Sequence, residues 1–211
     1  MTIGFIDNDI LLKLVAFQLF DDAIASLGLL QKDLRVLPTA KYVFRRKRSQ
    51  QFAYSDEIWR TAIAIVESCK TIPSPASPLS PDIAAEACQL DTLESIHEGE
   101  ASLILSTCNV EAFLLISGDK NCIKGLSQLS TRSYQRLCGR VVCLEQIVLK
   151  LIGALGFEAV ASRIYPFCHY DTSIQFCFGY SEPATESQVR DALQSCIREV
   201  NTAAPGLLVK L

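Results

Sequence analysis

Two short apolar runs, each delivering an acid at its C-terminal end, limit most what this chain can fold into. Ile3–Ile6 shows no period-two alternation and ends in Asp7-Asn8-Asp9. Ala112-Phe113-Leu114-Leu115-Ile116 ends in Ser117-Gly118-Asp119-Lys120. Apolar runs of this length read as strands covered on both faces, as in parallel sheets. In open α/β sheets sites form at strand ends, because the strand fixes a side chain at a crevice that helices leave open. Just ahead of the second run, Glu98-Gly99-Glu100 precedes a helical segment, Ala101 to Cys108. Two strand-end acids and a helix-start acid are thus placed to meet.

The remaining segments supply crossovers. Ile10–Leu27 has helical spacing of apolar residues and stops at Gly28. Leu34–Leu37 reads as a second strand, and Pro38-Thr39 permits a helix over Ala40–Phe44. Ser55 or Asp56 can cap a helix reaching Cys69, with Ile58, Ala62, Ile65 and Val66 on one face. Its Trp59 reads as a core anchor more than a base-stacking platform. Four prolines within Thr71–Pro81 make that stretch a loop. Helices are expected over Asp82–Leu93, Asn121–Leu129 and Glu145–Leu155, the last ended by Gly156, and a strand over Gly139–Leu144. Strand and helix in alternation argue for a parallel sheet with right-handed crossovers, a three-layer α/β/α domain. After Phe157 come an aromatic segment and an amphipathic helix with Val189, Leu193, Ile197 and Val200 on one face.

Composition excludes several classes. The net charge of −3 gives no strong global pull on nucleic acid or anionic membrane. No apolar run approaches the roughly 20 residues of a membrane span. Asp7 and Asp9 interrupt the start before a signal-peptide core can form, so a soluble cytoplasmic protein is expected. The nine cysteines contain no C-x-x-C pair and read as free thiols, several of them small hydrophobes in apolar runs. Cys168-His169 with Cys177 lacks a standard zinc spacing. With only His97 and His169, histidine-based catalysis has little to draw on, and His97 reads as a helix-start residue. Arg45-Arg46-Lys47-Arg48 reads either as a solvated helix end or as a phosphate-contact patch.

Phe5-Ile6-Asp7-Asn8-Asp9-Ile10-Leu11-Leu12, then Glu98-Gly99-Glu100-Ala101, then Leu114-Leu115-Ile116-Ser117-Gly118-Asp119-Lys120 resembles in order and spacing the PIN-domain-like nucleases, in the toxin-type ribonuclease branch with a Gly-Glu-Ala element. The resemblance covers roughly residues 3–145. It implies a PIN-like nuclease domain over 1–155; it does not account for 156–211, which reads as a C-terminal helical extension packed on that domain. It implies a metal-dependent ribonuclease in which Asp7, Glu100 and Asp119 hold Mg²⁺ or Mn²⁺ and carry catalysis, with Asp9 and Glu98 behind them. Arg45, Arg46, Lys47, Arg48 and Lys120 would contact the RNA. An antitoxin could cover the acids with an arginine. The apolar helix Glu145–Leu155 and the C-terminal helix offer faces to a protein partner or to a second copy. The acids also have plain roles: Glu100 suits a helix N-terminus and Asp119 a helix cap.

The chain departs from the family where an acid is usual after the second strand: Val43-Phe44-Arg45 has none, and Glu57 on the next helix is the nearest substitute. A catalytically degenerate member that binds RNA or a protein without cutting is therefore an alternative. A further one is a haloacid dehalogenase-like phosphatase, which the Asp7-Asn8-Asp9 element also resembles. Against it, no lysine lies between Thr107 and Asp119, and Ile123 and Lys124 stand where a second acid is expected.

Overall fold

The computed structural model describes residues 1–49, 54–73 and 80–211. The chain opens with strand β1 (Ile3–Ile6), helix α1 (Asn8–Ala16) and helix α2 (Phe20–Ser26). Strand β2 (Leu34–Val36) leads into α3 (Ala40–Ser49), and α4 (Asp56–Ser68) into the two-residue β3 (Lys70–Thr71). Next come α5 (Pro81–Asp91), α6 (Glu98–Ser106), β4 (Phe113–Ile116) and α7 (Lys120–Gly125). The chain continues through α8 (Thr131–Leu137), β5 (Val141–Val142), α9 (Leu144–Leu155) and α10 (Phe157–Ile164). Helices α11 (Thr172–Phe178) and α12 (Glu186–Ala203) complete it.

The five strands form one all-parallel sheet in the order β3-β2-β1-β4-β5, flanked by helices as a three-layer α/β/α fold. Phe5, Ile6, Leu115, Ile116, Val141 and Val142 are buried, as a sheet covered on both faces demands. Beyond β1 the chain builds outward through β2 and β3; it then returns to the other side of β1 to lay down β4 and β5. The point where that direction reverses lies between β1 and β4, which are paired from Ile3 with Phe113 to Ile6 with Ile116.

The expected single helix over Ile10–Leu27 is two helices. Gln18 takes a left-handed φ of 56°, with its N–H on the Val15 carbonyl and the Leu19 N–H on the Leu14 carbonyl. That is a Schellman end to α1. Helix α2 ends in the same way around Gly28, where a stop was expected, with φ 70° and the Leu29 N–H on the Ile24 carbonyl. Only the glycine leaves a mark in the sequence; glutamine at such a position does not. Of the expected loop Thr71–Pro81, Thr71 belongs to β3 and Pro81 starts α5, while 74–79 lie outside the described residues.

The segment after Leu155 is knit into the domain. Gly206–Val209 runs parallel to β5: Leu208 bridges Val141, the Val141 N–H donates to the Leu207 carbonyl, and the Val209 N–H donates to the Val141 carbonyl. Gln146 Nε2 donates to the Val209 carbonyl at 2.8 Å, and Arg163 pairs with Asp22 at 2.7 Å. Val189, Leu193 and Val200 of α12 are fully buried and Ile197 partly so, as their shared face requires. Trp59 is core, packed on Phe44 and Tyr54. Among the described residues no helix is long and apolar enough to cross a membrane.

Candidate functional site at the switch point

Asp7 follows β1 and caps α1, its Oδ2 accepting from the Asp9 N–H at 3.1 Å. Asp119 stands just past β4 and caps α7, with Oδ1 accepting from Asn121 N–H at 2.7 Å and Cys122 N–H at 3.1 Å. Each is the first acid after its strand because the peptide must turn there, and a carboxylate satisfies the free amides of the helix that follows. Glu100 lies in the first turn of α6, turned inward and 8 % exposed, with Oε2 accepting the His97 N–H at 2.8 Å. The plain capping roles of Glu100 and Asp119 are therefore real.

The charges of these three acids also act on one another. Burial pushes the Asp7 carboxyl up, and the charges of Asp9 and Asp119 push the same way against its amide hydrogen bonds. Burial likewise raises Glu100, opposed by the His97 amide and the Cys122 thiol and reinforced by the charges of Asp119 and Asp7. Crowded, desolvated carboxylates repel, which disfavours their ionised forms. Beside Asp7, Asn8 buries its Oδ1 with no hydrogen-bond partner. Among the described residues, no three His, Cys, Asp or Glu side chains are gathered closely enough to ligate one ion together.

Asp9 and Glu98 part company. Asp9 acts on Asp7, and Lys13, one turn along α1, reaches Asp9 at 2.5 Å and Asp171 at 2.7 Å. Burial works against the Lys13 charge, but Asp171 and Asp9 override it and raise its pKa. Asp171 in turn caps α11, its Oδ1 accepting from the Ile174 N–H at 2.8 Å. Gly118 keeps this junction tight, since a Cβ there would lie 3.2 Å from Asp9 Oδ2 and 3.3 Å from the Ile10 Cβ. Glu98 is an exposed first-turn residue of α6. Glu57 is exposed in the first turn of α4.

Arg45, Arg48 and Lys120, among the five cations expected on RNA, hold carboxylates within the molecule. Arg45 pairs with Glu67, and Arg48 with Asp56, both on α4. Lys120 pairs at 2.8 Å with Glu145, which is 2 % exposed. Arg46 is exposed and Lys47 partly buried on α3. The basic run thus serves in part to fasten α3 to α4. Sequence reasoning missed Lys13 and Asp171, whose pairing spans most of the chain, and Glu145, whose burial nothing in its neighbours announces. His169 stacks against Tyr170 and Cys177 faces Cys196, so the Cys168-His169-Cys177 grouping breaks up.

Comparison with protein-family models, with curated proteins and with solved structures gave no match.

Proposed function

We propose that this chain is a metal-dependent ribonuclease, PIN-like in type, in which Asp7, Glu100 and Asp119 hold Mg²⁺ or Mn²⁺. One observation carries the reading: acids follow the carboxyl ends of two adjacent parallel strands at the sheet's reversal point, where open α/β folds place their ligands. The donor set suits a hard divalent cation. It offers only carboxylate oxygens, and the charge crowding at Asp7 and Glu100 is what a cation relieves. Magnesium takes one or two carboxylates directly and keeps waters for the rest, so the acids need not close a cage around it.

When bound, such an ion supplies Lewis-acid chemistry and neutralises charge at a phosphodiester. The protein's own part is to aim the acids. Each acid spends an oxygen on a backbone amide, which fixes its direction. Lys13 draws the Asp9 carboxylate toward itself and Asp171. Lys120, adjoining Asp119, is anchored by Glu145.

Incubation of the purified protein with short single-stranded and hairpin RNAs and Mn²⁺ tests this. Cleavage by wild type, lost in EDTA and in Asp7→Asn and Asp119→Asn, is expected. The same capping bonds favour a second reading, a binding module that does not cut, because the acids have structural employment without a metal. RNA retained intact, equally by wild type and both variants, would select that reading.

A further inference from the structure

Cys177 of α11 and Cys196 of α12 face each other with their sulfurs 4.0 Å apart. Cys177 lies in the core beside Ile174 and Phe178, while Cys196 is partly exposed. Ser173, one turn before Cys177, sets its hydroxyl 3.7 Å from the Cys196 sulfur and donates to Glu145 Oε1 at 2.7 Å. The second oxygen of Glu145 is buried without a partner. The two thiols thus face each other, Cys177 from the core and Cys196 beside the Ser173 hydroxyl, and the proposed metal site makes no use of them.

We propose that Cys177 and Cys196 form an oxidisable dithiol site whose co-reactant is a peroxide, closing to a disulfide that ties α11 to α12. A disulfide holds its sulfurs about 2 Å apart, so the pair must approach by about 2 Å, within reach of side-chain rotation. Cys196, the more exposed thiol, reacts first as its thiolate. Its sulfur attacks one peroxide oxygen, the O–O bond breaks, and the leaving hydroxide takes a proton to become water. The product is a sulfenic acid on Cys196. The Cys177 sulfur then gives up its proton and attacks the sulfenic sulfur. The S–S bond forms, the S–O bond breaks, and the hydroxide leaves as a second water. The two sulfurs lose two electrons in all, and the peroxide gains them. The hydrogen bond from Cys177 holds the Cys196 thiol below the usual thiol range, which, with its greater exposure, favours it as the attacking group.

The test is stepwise addition of hydrogen peroxide to the reduced full-length protein, followed by alkylation and non-reducing peptide mapping. The Cys177–Cys196 linked peptide is expected at lower peroxide than any oxidation of the exposed Cys88. In Cys177→Ser the second step is blocked, and dimedone should trap a sulfenic acid on Cys196. Oxidation of Cys88 while Cys177 and Cys196 both remain alkylatable would overturn the proposal. So would a folded Cys177→Ser protein that gives no dimedone adduct on Cys196. The mapping of wild type stands whether or not the variant folds, and neither result depends on the ribonuclease reading.

Discussion

Asp7 and Asp119 follow neighbouring parallel strands, and the charge of Asp119 adds to partial burial in making Asp7 harder to ionise. This relationship has an energetic consequence. A carboxyl whose pKa is raised on folding binds its proton more tightly in the native state than in the unfolded one. Stability is then lost as pH rises from the unfolded pKa through the raised native value. Above that window, charged Asp7 and Glu100 strain the metal-free fold.

Asp7→Asn should therefore stabilise the metal-free protein at pH 7, by about 1 kcal/mol, as substitutions that relieve a functional site commonly do. Asparagine keeps an oxygen for the Asp9 amide, so the cap survives. Urea denaturation at several pH values checks this. The advantage should shrink as pH falls through the window, because wild-type Asp7 then becomes neutral too.

Lys120→Met should cost about 3 kcal/mol, because it leaves Glu145 as an uncompensated buried charge with one oxygen already unpartnered. Adding Glu145→Gln should recover much of the loss. A double-mutant cycle by urea denaturation reads the coupling; simple additivity of the two changes would show that the pair does not act as a pair.

Gln18→Gly should raise stability by about 0.5–1 kcal/mol. A side chain in the left-handed region costs about 1–2 kcal/mol, of which glycine's extra chain entropy returns part. Thermal unfolding checks it, and an unchanged or lowered midpoint would mean that the α1–α2 corner carries no such strain.

Gln18 also shows where the sequence stopped being legible. The apolar spacing runs straight through the α1–α2 corner, because Phe17 and Leu19 are buried on either side of the break. Strands β1, β4 and β5 were readable because burial on both faces writes them as apolar runs, and β2 because Leu34, Val36 and Leu37 flank a single Arg35. The strand Lys70–Thr71 was not, being two exposed residues at the sheet edge. Helix α8 carries only two buried residues, Ser133 and Leu137, and so gives no period to read. The places of Asp7 and Asp119 were legible because each sits at the end of a readable strand. Their company was not: Lys13 meets Asp171, and Lys120 meets Glu145, through contacts that only the folded chain makes.

A calorimetric Mn²⁺ titration of wild type beside Asp7→Asn tests the central claim most directly, since a cation relieves the burial and charge crowding that disfavour ionised Asp7 and Glu100. Wild type should bind one ion per chain, more tightly as pH rises through the raised carboxyl pKa values, and its melting temperature should rise with metal by mass action. Asp7→Asn, folded and more stable without metal, should bind far more weakly. Absence of binding to wild type at millimolar Mn²⁺, or superimposable isotherms for the two proteins, would contradict the account.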